Sequence, residues 1–211
     1  MSDKLKVRIR GEVYTNLPRN SSNPLTVTPL VRIMASQPYL STLTGWQKQI
    51  AFSDQGKLCN QSLNISQGYF SWTDGKGLLK PTDEWTICFW NYKVVSGLGQ
   101  IANFFGDTCI MNGTTEESRF GIRINNKKRY ALKSEKIATQ KWYHVAIVNH
   151  AGTMSLYVNG IRTAATETAY NIDLTNLKIG NVYLAAGLLD DFIIVRQALW
   201  TDSFTPPPTY L

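Results

Sequence analysis

The sequence predicts an all-β protein: an antiparallel β-sandwich preceded by an N-terminal extended or β arm. Three observations predict it. Short runs rich in β-branched and aromatic residues recur along the chain, separated by clusters of Gly, Asn, Asp and Pro. Residues 142–164 hold two such runs back to back, the second followed by Asn159-Gly160, a pair suited to a type I′ turn because both central positions need a positive φ. Little of the chain reads as helix, and many short strands punctuated this regularly indicate a sandwich.

The elements follow in order. Leu5, Val7 and Ile9 alternate with Lys4, Lys6, Arg8 and Arg10, the period of a half-buried strand with a cationic outer face. Residues 15–24 read as a loop. β character resumes at Leu25, and Pro29 restricts that run to an edge strand or extended segment. Residues 1–45 are therefore set apart as a basic arm or small β add-on, and residues 46–211 as the sandwich. Runs from Ile50 and Ser62 read as short strands, and residues 68–77 end in the turn signal Asp74-Gly75. The run from Thr86 to Val95 has too little polarity for an exposed strand. Runs from Ile101 and Arg119 follow, before a turn at Asn125-Asn126-Lys127. Trp142, Val145 and Ile147 are expected to fill the inter-sheet core. His150 to Thr153 make a turn, and a third strand starts at Ile161. Runs from Leu177 and Leu188 close the sandwich, with Gly180 expected at a bulge or a close backbone approach.

At 211 residues, the chain fits one large domain or a domain with an arm. A domain of this size buries roughly 70% of its unfolded surface and needs no metal or disulfide to fold. No run of 18 apolar residues exists, so no membrane span is expected. The N-terminus lacks the apolar core of a signal peptide, and the protein is expected to be made and folded in a cytosol. Cys59, Cys88 and Cys109 are an odd number with no CxxC pair, which points to buried free thiols and away from zinc. The net charge is +7. Residues 1–45 hold six basic against two acidic side chains, so +4 of it sits in the arm.

Residues 142–199 carry a recognisable series. Trp142-Tyr143-His144-Val145-Ala146, Leu156-Tyr157-Val158-Asn159-Gly160, Leu177-Lys178-Ile179-Gly180, Leu189-Asp190-Asp191-Phe192 and Ala198-Leu199 stand in that order. Together with Trp85-Thr86-Ile87-Cys88-Phe89-Trp90 upstream, they resemble the signature of concanavalin A-like domains of the laminin G group, over roughly Trp46 to Leu211. The resemblance implies a jelly-roll sandwich. The ending, from Val195 through Trp200 and Phe204 to Pro206-Pro207, resembles that of such domains in tailed-bacteriophage virion proteins. Pro206-Pro207-Pro208 cannot continue a ladder, so this last segment is expected to lie extended across the sandwich.

Some glucanases with this fold carry an E-x-D-x-x-E strand, which aims its carboxylates at one cleft. No such motif occurs here. Asp83-Glu84 and Asp190-Asp191 are adjacent pairs that a strand splits between its faces, so no enzyme activity is expected. Asp190-Asp191 is expected to cap loop N–H groups. The resemblance implies a Ca²⁺ site at a loop rim, for which Asp107 is a weak single candidate and no other metal ligand is named. Tyr69, Trp72 and Asp74 form a candidate ligand-binding aromatic cluster, with core packing as the competing role for the rings. Lys127, Lys128, Arg129, Lys133 and Lys136 form a second basic cluster. With only Tyr130 interleaved it reads as a solvated loop, so no specific nucleic acid is expected.

The resemblance thus implies a bacteriophage virion structural protein, a laminin G-like module displayed on the particle. Lys4, Leu5, Lys6, Val7, Arg8, Ile9 and Arg10 would form the partner-binding arm that joins it to other virion proteins by strand pairing. Capsid, neck or tail decoration, host-surface glycan attachment and oligomerisation in the particle all fit, without membrane insertion. A free carbohydrate-binding lectin is the alternative.

Overall fold

A computed structural model gives the fold. It describes residues 30–33, 46–49, 52–57, 61–72, 77–106, 108–114, 117–124, 130–167, 170–180 and 186–207. Lys4 to Arg10, Asp74 and Asp107 lie outside these residues, as do Cys59 and Lys127 to Arg129.

Among the described residues every regular element is a strand. In chain order they are β1 Val31–Ile33, β2 Trp46–Gln49, β3 Phe52–Ser53, β4 Ser62–Asn64, β5 Tyr69–Trp72, β6 Leu78–Leu79, β7 Trp85–Tyr92 and β8 Gly99–Phe105. These are followed by β9 Thr108–Gly113, β10 Gly121–Arg123, β11 Leu132–Lys133, β12 Trp142–His150, β13 Thr153–Val158, β14 Ile161–Glu167, β15 Ile172–Ile179 and β16 Leu188–Val195. Sheet A runs β14-β13-β12-β7-β16-β4-β3, with β1 also on β16. Sheet B runs β11-β10-β9-β8-β15-β5-β2, with β6 also on β15. All pairs are antiparallel, which gives the expected sandwich.

Alternation along the strands sets the layers. On β12, Val145 and Ile147 face the inter-sheet core, where they meet Ile87, Phe89, Phe192 and Ile194 of sheet A and Ile101, Phe104, Ile110, Leu177 and Ile179 of sheet B. Trp142 has the opposite parity. It lies on the outer face against Tyr92, ring centroids 5.5 Å apart, so the expectation that it fills the core with Val145 and Ile147 is corrected. The run from Ile101 to Ile110 is a hairpin, β8 into β9, with Phe104 opposite Thr108.

The turn chemistry follows the sequence. Asn159 and Gly160 have φ of 51° and 78°, and the Asn159 side chain accepts the His144 N–H at 3.0 Å. Gly180 has φ +80°, and a Cβ there would come within 2.5 Å of the Gly68 carbonyl oxygen. Asp190 accepts the backbone N–H of Lys57 at 3.2 Å, as a loop cap should. Cys88 and Cys109 are free and buried.

The sandwich draws on the leader. Val31 and Ile33 are each 1% exposed, and β1 pairs with β16 in the register Val31↔Ile194. The sheet therefore takes in residues from within the first 45. Among the described residues β1 pairs with β16 alone, which agrees with the edge or extended position expected of this run.

Candidate functional site

The two outer faces of the sandwich differ in what covers them. On sheet A, Cys88, Ala146, Val148, Tyr157, Ile193 and Val195 form a second apolar cluster, and Ala198, Leu199, Trp200 and Phe204 pack on it. The C-terminal segment thus crosses the sandwich without secondary structure, as its prolines require. Thr86 fastens it: its hydroxyl donates to Gln197 O at 2.8 Å and accepts the Leu199 N–H at 3.0 Å. The Phe204 N–H donates to Gly160 O at 2.9 Å. The centre of sheet A is thus covered by the protein's own chain.

Sheet B carries a polar outer face. Register pairs place Gln47, Ser71, Lys178, Asn103, Cys109 and Arg123 in one row across β2, β5, β15, β8, β9 and β10. Ser71, Lys178, Asn103 and Arg123 are half-buried, because the core side of each strand is held by Phe70, Ile179, Ala102 and Ile122. Tyr69 lies on the same face as Ser71, with the Lys178 ammonium 4.3 Å from its ring centroid. The next row holds Gln100, Met111, Gly121 and Lys133. There the Tyr130 ring fills the space that a side chain at position 121 would need.

Two polar atoms in this region are unspent. Asn103 Oδ1 and the Tyr130 hydroxyl are buried and have no hydrogen-bond partner among the described residues. Leaving such a group unpaired costs about 1–3 kcal/mol, so a ligand hydroxyl or amide that reached them would recover that energy. Burial pushes the Tyr130 phenol up to about 12, so at neutral pH it remains a hydroxyl that can donate.

The candidate cluster of the sequence is divided by the fold. Tyr69 and Trp72 are three residues apart on one strand and fall on opposite faces. Trp72 packs against the inter-sheet core opposite Leu177, while Tyr69 looks outward. Asp74 is outside the described residues. The two rings therefore do not form one platform. Strand parity already contained this separation. The row partners Lys178, Asn103 and Arg123 were not singled out, because their adjacency depends on which strands pair. Trp72→Ala should cost about 2 kcal/mol, roughly half the loss of a fully buried aromatic. Tyr69→Ala should leave the melting midpoint within a few degrees. Thermal denaturation of both variants checks this, and equal losses would contradict the placement.

Other candidates have local partners. Asp83 bonds Arg196 at 3.3 Å, and Glu84 bonds His150 at 2.8 Å. The Lys93 ammonium, fully buried at one end of the sandwich, donates to Gly97 O at 3.0 Å and Asn112 Oδ1 at 3.2 Å. Asn112 in turn donates to Asn91 Oδ1 at 2.8 Å, tying sheet B to sheet A. Burial lowers the Lys93 pKa to about 8, which still leaves it mostly charged at pH 7. Gly97 O and Asn112 Oδ1 are thus taken by an ammonium, at the end of the β8–β9 hairpin away from its turn. No three His, Cys, Asp or Glu side chains gather among the described residues, and Asp107 lies outside them.

Similar folds occur in proteins of several kinds. Domain 4 of an extracellular arabinanase from Geobacillus stearothermophilus, solved with arabinotriose, matches at TM-score 0.51 and 17% identity over 74% of this chain and 84% of that one. The binding domain of Botulinum neurotoxin serotype D matches at TM-score 0.53 and 16% identity over 82% of this chain and 48% of that one. A carbohydrate esterase from the Shiga toxin-encoding bacteriophage phi24B matches at TM-score 0.55 and 13% identity over 81% of this chain and 99% of that one. At these identities the likeness is one of fold. A comparison with curated proteins finds no match. The family model described as the concanavalin A-like lectin/glucanases superfamily matches residues 64–203, well over half of the sequence. The chain belongs to that superfamily.

Proposed function

We propose that the protein is a non-catalytic, glycan-binding structural component of a bacteriophage particle, displayed outward and attached through the residues that precede β1. The observation that carries the binding role is the contrast between the two faces. The centre of sheet A is covered by the C-terminal segment, whereas sheet B presents Tyr69, Ser71, Lys178, Asn103 and Arg123 half-exposed in adjoining rows. An aromatic ring beside amide, hydroxyl and cationic groups suits a sugar, which offers C–H faces and hydroxyls together. The row contains no carboxylate, so an acid–base pair for glycoside cleavage has no place in it. The arabinotriose-bound relative and the toxin binding domain support glycan recognition by analogy of fold. The phage reading is supported by the terminal motif from Val195 to Pro207 and by the phage esterase of similar fold.

The attachment is tested by truncation. Because Val31 and Ile33 are in the core, the cut belongs before Leu30. A protein lacking residues 1–29 should stay folded and soluble but fail to enter particles. Reversing the charges of Lys4, Lys6, Arg8 and Arg10 should weaken incorporation more at low salt than at high. Quantifying the protein on purified particles decides this, and normal incorporation of the truncated chain would overturn the arm as anchor. For the face, Tyr69→Ala should abolish binding on a glycan array while Trp72→Phe retains it. Loss with Trp72→Phe alone would place the site elsewhere.

A further inference from the structure

We infer that the glycan taken by the outer face of sheet B is anionic, a carboxylate- or sulfate-bearing polysaccharide lying across the strands from Lys178 to Arg123. The inference rests on the glycan-binding reading of this face and names its ligand class. Lys178 on β15 and Arg123 on β10 stand in the same row with Asn103 and Cys109 between them. Three strand spacings separate them, about 14 Å, the reach of a short oligosaccharide. Both side chains are half-buried, so their charges sit over the floor of the face rather than out in solvent.

The charge continues past Arg123. Lys133 on β11 is exposed on this face opposite Gly121, and Lys136 follows it. Arg119 holds the Glu117 carboxylate at 2.7 Å and lies 3.9 Å from Glu135, so these two acids face cations already. The Arg119 hydrogen bond keeps the Glu117 carboxyl below its usual range, with Lys133 and Lys136 adding to the effect. Lys133, one of the basic cluster seen in the sequence, therefore borders this face. A single exposed ion pair contributes little, but a polymer with a charge on each sugar meets Lys178, Arg123 and Lys133 together. Arg123 adds a fork that fits a carboxylate or sulfate with two parallel N–H bonds. Asn103 between the cations offers an amide and Ser71 beside Lys178 a hydroxyl to sugar hydroxyls, and Tyr69 offers a ring face. This polar floor favours a sugar chain over a nucleic acid, which needs several stacking aromatics.

The test uses the full-length protein and a matched pair of probes: polygalacturonate, with one carboxylate per sugar, and its methyl ester, which keeps the chain and removes the charge. Titration calorimetry should show polygalacturonate binding at least tenfold tighter than the ester at low salt, with the difference shrinking as salt rises. Lys178→Gln and Arg123→Gln should each weaken polygalacturonate about fivefold, the upper end for one such pair, and the ester by a smaller factor. Circular dichroism should show both variants folded. Equal binding of acid and ester would overturn the anionic class and leave the glycan-binding reading standing. Binding of neither, on this pair and on a wider panel of acidic and neutral polysaccharides, would overturn both. Tighter binding of single-stranded DNA than of polygalacturonate would also overturn it, in favour of a nucleic-acid surface.

Discussion

A chain ending at Arg196 should melt at least 10 °C below the full-length protein and bind a dye that reports exposed apolar surface. The segment it loses carries Leu199, Trp200 and Phe204. Trp200 and Phe204 stack at 4.0 Å with planes 8° apart, and Phe204 also meets the Tyr157 ring at 5.5 Å. Beneath them lie the side chains of the second cluster, on the central strands β7, β12 and β16. A fully buried Trp or Phe is worth about 3–5 kcal/mol, so two half-buried rings with Leu199 come to about 5 kcal/mol. For a domain of this size each kcal/mol moves the midpoint by about 2–4 °C. Gly160→Ala should give a milder form of the same defect. Its Cβ would collide with the Phe204 carbonyl, and its φ of +78° disfavours any side chain. Differential scanning calorimetry of both variants decides the matter. An unchanged midpoint for the truncated chain would show that the cap is not part of the cooperative fold.

What the sequence made legible was local. Asn159-Gly160 and Gly180 could be placed because a positive φ or a close backbone contact is a property of the residue itself. Short strands could be placed because alternation and turn residues lie side by side in the chain. Partnerships were less legible, since they depend on distant residues. Nothing near Val31 shows that it lies opposite Ile194, so β1 was grouped with the arm that precedes it. The face of Trp142 follows only when parity is counted from Val145, and the same count separates Tyr69 from Trp72. The row from Lys178 to Arg123 is assembled from four strands, of which only β8 and β9 are joined by a tight hairpin. The cap was legible in outline through its prolines, but its seat over His144 was not.

That seat makes stability depend on pH. His144 is 2% exposed on the outer face of β12, enclosed by Trp90, Trp200 and Phe204 at centroid distances of 5.1, 5.6 and 5.6 Å. Its Nδ1 has no hydrogen-bond partner among the described residues. Charged groups on this face include Asp190, which lies across Trp90 from it, and Lys57, whose ammonium sits 4.8 Å over the Trp90 ring. Desolvation lowers the imidazole pKa from 6.5 to about 3, so the folded protein keeps His144 neutral while the unfolded chain takes up a proton below pH 6.5. The unfolded state then binds more protons, and stability falls as the pH drops from about 6.5 towards 3. Each unit is worth up to about 1.4 kcal/mol, which makes the loss from this one group about 2 kcal/mol between pH 7 and pH 5. For a domain of this size that lowers the melting midpoint by about 4–8 °C. His144→Phe keeps an aromatic ring in the box without an ionisable nitrogen, so its midpoint should change much less over the same interval. Parallel slopes for the two proteins would show that His144 is solvated or paired in the folded state, and would refute its enclosure beneath the C-terminal cap.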